Sequence, residues 1–504
     1  MKIFKLLFIV FMALVLTTSC REEATFKPQD PQPNGPAATV TQVTGNTALL
    51  KWDKATERDV AYSVWLNGKE IHTNLKETEI MLEGLNPGHK YTGKILAVDS
   101  EGYILVIPIG GFGLTYFGAI DWETNLGGNG EDYGQSVVQD PGGGYWVAGS
   151  TWEDPEGGGL MDWMIARLDD SGNLVSDALF GGAGFDHAYQ IEQTAGGGYI
   201  VGGNSEPPGG GADDVDSWII RLGSTGKMVW DTQLDGLEAD YFRSITQSVD
   251  GGYLVAAEFI TETMRITNPN RVVKLDANGN QQWQVSLSGK IRSIIATPDK
   301  GSVVAGNTVA PEGDPWNTDV WVVKLNAAGN PQWNTILGGS GSDYAYDIFQ
   351  TSDGGYIAAG SSNSADGDVG GNNGGNDYWI IKLDAVGNLE WETNLGGSNS
   401  DVARSVIEHS DGRYVVVGSS SSFNGDVGGN HGGSDYWIVR LDAAGNLLHE
   451  HNLGGSGTDR ARSVIEAHDG GYVIAGESYS SDGDVGGNNG SSDYWVVKLT
   501  SIGN

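Results

Sequence analysis

Short runs of alternating apolar and polar residues fill most of the chain. The segments SVIEAHDGGYVIAGES and DYWIIKLDAVGNLEW are clear samples, in which β-branched and aromatic residues are interrupted by Asp-Gly-Gly and Gly-Asn. A period of two residues predicts β-strands, and these turn residues predict hairpins between them. Because no unit sustains an apolar period of 3.6 residues, a helical solenoid is excluded. We therefore expect an all-β protein.

The pattern recurs in seven units. Each unit contains an apolar anchor residue, in most units followed by Gly-Gly, and the anchors are Leu126, Phe180, Leu234, Leu287, Leu337, Leu395 and Leu453. A tryptophan stands four residues before the anchor in five units, and Ser176 and His449 replace it in the other two. Four predicted strands in units of roughly 40 to 50 residues are typical of β-propeller blades. A parallel β-helix is the alternative, which the hairpin turns disfavour.

The order of signals within a unit resembles that of kelch-type blades. This resemblance implies that the strand around Arg462 is innermost, GGYVIAG second, DYWVVKL third and the Trp391-type strand outermost. The short turns then lie on one rim and the long loops on the other. The chain enters the repeats with an outermost-strand sequence and ends before the last unit has one. We expect residues 119 to 126 to close the seven-bladed propeller by pairing beside Tyr494 to Leu499.

The first residues predict export. Lys2 and Lys5 precede an apolar run from Leu6 to Leu16, which is the arrangement of a secretory signal. The run is too short to cross a membrane readily as a helix. Cys20, the only cysteine, resembles the acylated cysteine of bacterial lipoproteins, and the charged residues 21–23 resemble the surface-export tether of Bacteroidota lipoproteins. The resemblance implies an outer-membrane, cell-surface lipoprotein. An ordinary signal with an incidental cysteine is the alternative.

A second small domain is expected before the repeats. Trp52 ends the strand-like run TALLKW, and the run Leu85-Asn86-Pro87-Gly88-His89-Lys90-Tyr91 matches the tyrosine corner of fibronectin type III modules. Such modules are usually spacers. The predicted organisation is a signal peptide (1–19), a Pro-rich tether (20–36), a fibronectin type III-like domain (37–109), a linker (110–118) and a propeller (119–504).

The charge balance narrows the choice of partners. The formal net charge is −36, and it becomes −38 once Lys2 and Lys5 leave with the signal. A surface this acidic repels nucleic acids and anionic membranes, so neither is expected as a partner. We expect a monomer that contacts the membrane only through its lipid anchor and binds a glycan or a surface protein.

Two sets of acidic positions stand out. The first recurs six residues after the anchor, where an Asp most often caps turn N–H groups or pairs with a neighbouring blade: Asp132, Asp186, Asp240, Asp343, Asp401 and Asp459. The second, in the DGDVGGN loops, has oxygen ligands spaced as in a calcium loop: Asp366, Asp368, Asn372, Asp377, Asp426, Asn430, Asp435, Asp482, Asp484, Asn488 and Asp493. The alternative is a Gly-rich turn locked by Asx hydrogen bonds. No cofactor is required, and calcium is the candidate structural ion.

Candidate ligand-binding residues fall into two groups. Ten residues before the tyrosine of each Gly-Gly-Tyr, or before Ser302 in the fourth unit, lie Gln135, Tyr189, Arg243, Arg292, Tyr346, Arg404 and Arg462. Four arginines at equivalent inner positions could hold a carboxylate or sulfate, or form salt bridges between blades. The second group is Trp152 and Trp316, which fall outside the repeat pattern on irregular rim loops. They could serve as platforms for sugar rings, or fold back over their own loops.

No catalytic motif is present. The sequence contains no GxSxG elbow, HExxH, P-loop or Cys–His pairing. Near-identity of the last three units favours a scaffold, since catalysis needs asymmetry between acid and base. We expect a non-enzymatic, surface-anchored binding or scaffold protein. The alternative is a carbohydrate-active enzyme, a glycoside hydrolase or polysaccharide lyase on a propeller, for which one inner carboxylate pair unmatched in other units would be the mark.

Overall fold

The computed structural model describes residues 38–44, 47–55, 60–82, 90–99, 104–113, 118–152, 160–182, 184–206, 215–234, 239–259, 270–310 and 317–501. Within these ranges the regular structure is entirely β-strand, which confirms the all-β prediction. The same ranges contain no helix of the length and apolarity needed to cross a membrane. Two compact units are present, one taken mainly from Leu50–Ile80 and Thr92–Gly111 and the other mainly from Phe112–Asn504.

The N-terminal region forms two small sheets. Its strands are β1 (Ala38–Thr44), β2 (Thr47–Trp52), β3 (Val60–Leu66), β4 (Lys69–Leu75), β5 (Glu79–Leu82), β6 (Lys90–Asp99) and β7 (Ile104–Gly113). They assemble in the orders β1-β2-β5 and β4-β3-β6-β7. Trp52 is buried and meets the Tyr62 ring edge-on at 5.4 Å, so this early tryptophan contributes to a core. Residues 85–89 of the predicted tyrosine corner lie outside the described ranges.

Seven four-stranded antiparallel sheets make up the second unit. The innermost strands are β9 (Asp132–Gln139), β13 (His187–Gln193), β17 (Asp240–Gln247), β21 (Lys290–Ala296), β25 (Asp343–Gln350), β29 (Asp401–Glu408) and β33 (Asp459–Glu466). The second strands are β10 (Tyr145–Thr151), β14 (Tyr199–Ser205), β18 (Tyr253–Phe259), β22 (Ser302–Val309), β26 (Tyr356–Ser362), β30 (Tyr414–Ser420) and β34 (Tyr472–Ser478).

The two outer positions follow the same plan. The third strands are β11 (Asp162–Leu168), β15 (Asp216–Leu222), β19 (Asn270–Leu275), β23 (Thr318–Leu325), β27 (Asp377–Leu383), β31 (Asp435–Leu441) and β35 (Asp493–Leu499). The outermost strands are β12 (Leu174–Phe180), β16 (Met228–Leu234), β20 (Gln281–Leu287), β24 (Pro331–Leu337), β28 (Leu389–Leu395), β32 (Leu447–Leu453) and, for the seventh sheet, β8 (Ile120–Leu126). This order confirms the phase predicted from the repeats.

Strand β8 comes from the start of the repeats and completes the last sheet. It pairs antiparallel with β35, with Leu126 opposite Tyr494 and Trp122 opposite Lys498. Glu123 on β8 stabilises this pairing, since its carboxylate accepts hydrogen bonds from Trp495 Nε1 (2.6 Å) and Gly486 N (2.9 Å). The predicted pairing of the two ends is confirmed, and it covers an otherwise open strand edge.

At five of the junctions between successive sheets, a backbone hydrogen bond joins the two sheets near their inner strands. Asp401 N donates to Asn376 O of the preceding sheet (2.5 Å), and Asp459 N donates to Ser434 O (2.5 Å). The seventh sheet is joined to the first in the same way, since Asp132 N donates to Ser492 O (2.8 Å). The sheets therefore contact one another in a cyclic, propeller-like order.

The core lies between neighbouring sheets. Trp379, Trp437 and Trp495 on the third strands are fully or almost fully buried. The Trp437 ring packs 4.4 Å from that of Tyr378 in the preceding sheet, whose hydroxyl donates to Trp437 O (2.8 Å). The interfaces between the fifth and sixth, the sixth and seventh, and the seventh and first sheets thus combine apolar burial with a satisfied tyrosine hydroxyl.

The outermost tryptophans are half-buried and link neighbouring sheets. Trp391 of the fifth sheet lies against Gly445 in the Gly-Asn turn of the sixth, where a Cβ would approach its ring to 2.6 Å. Gly445 has φ 83°, a conformation that also favours glycine. Equivalent contacts join Trp122 to Gly172, Trp230 to Gly279, Trp283 to Gly329 and Trp333 to Gly387.

Candidate anion-binding site

A β-bulge lies at the same place in every innermost strand. In β29 the pairing passes from Ala403, opposite Gly418, to Ser405, opposite Val417, so Arg404 is the extra residue. The extra residues of the seven sheets are Gln135, Tyr189, Arg243, Arg292, Tyr346, Arg404 and Arg462. These are the seven candidate positions of the sequence, and we call them the bulge ring. A bulge re-aims the side chain of its extra residue, which explains how all seven are presented alike.

Bulge-ring side chains from separate sheets influence one another. After burial, the positive charge of Arg462 is the next cause that lowers the pKa of Arg404, and Arg292 lowers it too. Burial raises the pKa of Tyr189, against the effects of Arg243 and Arg462. Arg292, Arg404 and Arg462 belong to the fourth, sixth and seventh sheets. The bulges therefore bring residues far apart in sequence to one shared region.

Two of the four arginines are neutralised. Arg243 donates hydrogen bonds to the Glu258 carboxylate from Nε (3.1 Å) and Nη2 (2.5 Å). Arg462 donates two hydrogen bonds to the Glu477 carboxylate, from Nε (2.9 Å) and Nη2 (2.6 Å). Burial opposes the charge of Arg462, but Glu477 outweighs it and raises the pKa of Arg462. Both carboxylates stand on the second strand of the same sheet. The expectation of salt bridges between blades is therefore wrong for these two arginines, because the bulge turns each one back toward its own β-hairpin.

The other two arginines flank Tyr346. The guanidinium of Arg404 lies 4.1 Å from the centre of the Tyr346 ring, and Arg292 Nε is buried without a hydrogen-bond partner among the described residues. Burial lowers the pKa of both guanidinium groups, with further lowering by Arg243 at Arg292 and by Arg462 at Arg404. Among the described residues, the members of the bulge ring that form ion pairs are Arg243 and Arg462. Arg292, Tyr346 and Arg404 thus form a cationic patch suited to an anion.

An acidic residue lies next to this patch. Asp347 accepts hydrogen bonds from Ser293 Oγ (3.1 Å) and Val406 N (3.0 Å), and so ties the fourth and sixth sheets to the fifth. Burial raises the pKa of Asp347 despite these bonds. The other six sheets carry uncharged polar residues here: Ser136, Gln190, Ser244, Ser293, Ser405 and Ser463. Sequence reasoning missed Asp347, although the column of hydroxyl and amide residues contained the signal.

The predicted calcium ligands of the first loop are engaged with the protein itself. Asp366 Oδ1 accepts from Ser340 N (2.7 Å), Asp368 Oδ2 from Gly338 N (3.2 Å) and Asp377 Oδ2 from Asn373 N (2.5 Å). The Asn372 amide donates to the carbonyl oxygens of Ser362 (3.2 Å) and Gly375 (3.1 Å). Asn372 Oδ1 also accepts from Gly374 N (2.8 Å), which is the Asx-type bond of the alternative interpretation.

The later loops repeat this arrangement. Hydrogen bonds of 2.6 to 3.2 Å to nearby backbone groups engage Asp426, Asn430, Asp435, Asp482, Asp484, Asn488 and Asp493. In the described part of the chain, no three His, Cys, Asp or Glu side chains are grouped so as to hold a metal ion. Calcium binding by these loops stays a prediction.

The remaining predicted residues are spread apart. Trp152 is 38% exposed, and its ring meets that of Phe185 edge-on at 6.1 Å, while its backbone N–H donates to Asp132 Oδ1 (3.1 Å). Its ring is thus partly available at the rim. Trp316 and Cys20 lie outside the described residues.

Part of the N-terminal region is similar to a known domain family. Residues 31–104 match the fibronectin type III domain family. No curated protein matches the chain. Among solved structures, a protein of unknown function from Bacteroides caccae is 12% identical, with a TM-score of 0.37 over 57% of this chain and 89% of that one.

Two enzyme structures are also similar. The polysaccharide lyase Uly1 is 11% identical, with a TM-score of 0.44 over 76% of this chain and 99% of that chain. A puromycin hydrolase is 15% identical, with a TM-score of 0.43 over 74% and 54% of the two chains. At these identities and TM-scores, none of the three assigns a function to this chain.

Proposed function

We propose that this protein is an exported, surface-anchored, non-enzymatic binding protein, and that its seven sheets form a closed seven-bladed β-propeller. Its ligand carries a carboxylate or sulfate that is held by Arg292 and Arg404. The observation that carries the proposal is the contrast within the bulge ring: Arg243 and Arg462 are neutralised by glutamates, whereas Arg292 and Arg404 flank Tyr346 without an ion pair in the described residues.

Physical chemistry favours an external anion at this place. Arg292 and Arg404 are partly buried, and two partly buried guanidinium groups in one region are costly unless an opposite charge compensates them. The guanidinium group is planar and presents several N–H donors. These donors match the oxygens of a carboxylate or sulfate better than those of a neutral group. Because the rest of the surface is strongly acidic, it repels anions. A cationic patch here would therefore direct an anionic ligand to this one place. Tyr346 adds an aromatic edge, which suits a sugar ring that bears the anion.

The binding experiment compares arginines that differ in their partners. Isothermal titration would use oligoglucuronate, a sulfated oligosaccharide and a neutral oligosaccharide as probes. We expect binding of at least one acidic probe, none of the neutral probe, and loss of at least tenfold in affinity for Arg292→Gln combined with Arg404→Gln. Arg413→Gln is the control, since Arg413 is exposed and pairs with Asp411 in a hairpin turn. Equal affinity in the double variant and the control would refute the proposal.

A second candidate function rests on Asp347. This acid is unmatched in the other sheets and adjoins Tyr346, and it is the kind of asymmetry that a carbohydrate-active enzyme needs. Its oxygens accept bonds from Ser293 and Val406, which favours a bridging role instead. Incubation with acidic and neutral polysaccharides decides between them: released product that disappears in Asp347→Asn would establish the enzyme.

The anchor and the spacer complete the proposal. Acylation of Cys20 would tether the chain to the outer membrane, and the fibronectin type III segment would hold the propeller away from the surface as a monomer. Labelling cells with a clickable fatty acid tests the anchor, because label should appear in the wild type and be absent from Cys20→Ala. Surface display is tested by whether external protease degrades the protein on intact cells.

A further inference from the structure

A second layer of side chains lies beside the bulge ring. Each innermost strand alternates in burial up to its bulge, so the residue two before the bulge shares a face with the bulge residue. In β29 these two residues are Val402 and Arg404, both half-buried, with Ala403 fully buried between them. The residues at the earlier position, which we call the mouth ring, are Tyr133, His187, Tyr241, Lys290, Tyr344, Val402 and Arg460.

The two rings differ in charge from the chain as a whole. The bulge ring has four arginines and the mouth ring adds Lys290 and Arg460, which makes six cationic side chains and no carboxylate. Glutamates of the second strands neutralise Arg243 and Arg462, and the remaining excess is still positive. Since the chain carries a formal net charge of −36, this region is where an anionic ligand would be drawn.

The lining beyond the bulge has a different character. Three residues after the bulge residue, the same strands carry Val138, Glu192, Ile295, Phe349, Ile407 and Ile465. Apolar side chains and an acid disfavour an anion, so an anionic ligand enters from the mouth ring. The mouth ring lies towards the rim of long loops, because Ser398 N, just before β29, donates to Asn424 Oδ1 of the DGDVGGN-type loop (2.9 Å).

Three adjacent strands place a mouth-ring residue just before a member of the cationic patch. Lys290, Tyr344 and Val402 each precede that member by two residues, on β21, β25 and β29. Two residues of a strand span about 6.6 Å. Since this is comparable to the length of one sugar residue within a chain, a sugar held at the cationic patch would place its neighbour beside these three side chains.

Tyr344 is positioned to contact that neighbour. Its ring centre lies 6.1 Å from that of Tyr346, and the two rings are nearly parallel at 18°, so both present the same aspect to the enclosed region. Burial lowers the pKa of Arg292, and both tyrosines oppose this lowering, which places them near the same guanidinium. Tyr344 is half-buried, and an aromatic side chain in this setting suits the apolar face of a sugar ring.

Lys290 supplies a positive charge at the same level. Its side chain is exposed at the start of β21. Burial opposes ionisation of Glu258, but Arg243 above all, with Lys290 and Arg292 adding to it, lowers the pKa of Glu258. Because Glu258 already accepts two hydrogen bonds from Arg243, at 3.1 and 2.5 Å, the Lys290 ammonium can pair with an anionic group of a ligand.

Other members of the mouth ring have partners of their own. The hydroxyl of Tyr133 donates to the carboxylate of Glu131, and Arg460 Nη1 lies 3.6 Å from Glu477 Oε1. These contacts belong to the first and seventh sheets. The fourth and fifth sheets, which carry Lys290 and Tyr344, are therefore the better place for a second contact with the ligand.

We propose that Lys290 and Tyr344 form a second subsite, so that the protein binds the end of an acidic oligosaccharide that carries anionic groups on successive sugar residues. This inference rests on the proposed anion site at Arg292 and Arg404. The anion of the terminal sugar lies between the two arginines, and the next sugar contacts Tyr344 and pairs with Lys290. The remainder of the ligand leaves through the rim of long loops.

The experiment compares ligands of different length on the full chain. The probes for isothermal titration are glucuronate, its disaccharide and its tetrasaccharide, with a sulfated series of the same lengths in parallel. We expect the acidic disaccharide to bind about tenfold more tightly than the monosaccharide, and the tetrasaccharide to add less than about threefold, because two residues are held. Equal affinities for the monosaccharide and the disaccharide would overturn the second subsite and leave the proposed anion site in place.

A double variant locates the subsite. Lys290→Gln combined with Tyr344→Val should lower the affinity for the disaccharide about tenfold and leave that for the monosaccharide unchanged, which also shows that the variant is folded. Valine is the residue that the sixth sheet carries at this position. Arg460→Gln is the matched control, since it removes a mouth-ring charge that lies near Glu477. Equal disaccharide affinities in the double variant and the control would overturn the proposal.

The stoichiometry tests binding at the chain end. We expect one protein molecule per ligand chain for the tetrasaccharide and for a much longer oligomer, because only a terminal residue reaches the bulge ring. Several protein molecules on each long chain would overturn the proposal. If no acidic saccharide of any length binds, the proposed anion site is refuted, and the second subsite with it.

Discussion

The indole of Trp146 lies against Gly226, where a Cβ would approach the ring to 2.5 Å. In the equivalent contacts, such as Trp391 against Gly445, the tryptophan comes from the outermost strand of the preceding sheet. The first sheet has Ser176 at that position of its outermost strand. Trp146 comes instead from the second strand, β10, where the other sheets carry Ile200, Leu254, Val303, Ile357, Val415 and Val473. One departure from the repeat is thus compensated by another.

This compensation predicts the behaviour of a pair of substitutions. Trp146→Ile should destabilise the protein by about 2 to 4 kcal/mol, because it removes a buried ring from the contact with Gly226. Adding Ser176→Trp should restore at least half of that loss, since it rebuilds the contact of the other sheets. Urea unfolding of the two single variants and the double variant checks this. If the two substitutions have additive effects, the proposed exchange of roles is wrong.

Core and rim tryptophans should respond differently to truncation. Trp379 is 1% exposed and donates to Glu392 (2.9 Å), so Trp379→Ala is expected to cost roughly 3 to 5 kcal/mol of unfolding free energy. Trp152 is 38% exposed, and Trp152→Ala should change the melting temperature little while weakening capture of ligand or partner. Trp316→Ala is predicted to behave like Trp152→Ala. Comparable destabilisation by all three would make the rim tryptophans structural.

Buried lysines should set the stability of the protein in acid. Lys324 is 7% exposed and pairs with Asp299 in a turn (2.9 Å), and Lys274 and Lys382 form similar pairs. Burial opposes ionisation of Asp299, but hydrogen bonds from Thr297 and Lys324 hold its pKa at about 2. Its stabilising effect is therefore present above about pH 4 and lost as pH falls towards 2.

A lysine substitution isolates this effect. Lys324→Met should lower stability at pH 5 but much less at pH 2, which urea unfolding at the two pH values would show. Lys51→Met is the matched control, because both members of the Lys51–Glu79 pair are about half exposed and such surface pairs contribute little. A loss for Lys324→Met that is independent of pH would point to packing alone.

Two truncations test the closing strand. A chain that begins at residue 118 keeps β8, whereas one that begins at residue 127 lacks it and exposes β35, whose side chains are buried. We expect cooperative unfolding of the first chain at a melting temperature near that of the second unit in the full protein. The second chain should melt at least 10 °C lower or aggregate, as scanning calorimetry and light scattering would reveal. Indistinguishable melting curves would mean that the strand is dispensable.

Calcium binding has a direct test. If the DGDVGGN loops hold calcium, adding it should raise the melting temperature and EDTA should reverse the rise, since ligands that bind only the folded state stabilise it. Asp366→Asn and Asp482→Asn should reduce that response. An unchanged melting temperature would leave the loops locked by their own hydrogen bonds.

The sequence predicted the repeat architecture well because the signals were local. Tryptophan and glycine turns recur once per unit, and the missing outermost strand of the last unit led directly to the pairing of β8 with β35. The six Asp residues after the anchors were expected to cap turns, and Asp401 Oδ2 does accept from Gly397 N (2.8 Å). Such features follow from turn chemistry and strand alternation.

Other features depend on contacts that a linear pattern does not contain. Strand alternation does not reveal the bulge at Arg404, so the division of the arginines into neutralised and unpaired members could not be seen. The approach of Asp377 and Asp401 to one point beside Gly396 was missed because the sequence places the two residues in separate motifs. Pro269 and Gly289 replace this pair of acids where the third sheet meets the fourth, a signal that is visible in the sequence.

Completion of the seventh sheet by β8 also constrains how the protein is made. Ribosomes deliver the chain from its N-terminus, so β8 emerges before the strands of the first six sheets and its partner β35 emerges after them. While those six sheets form in succession, the edge that β8 must cover does not yet exist. The closing step therefore follows the synthesis of all the other strands and joins segments at long sequence separation, which is the slow class of folding event. A nascent chain waiting in this state is the form most in need of a chaperone.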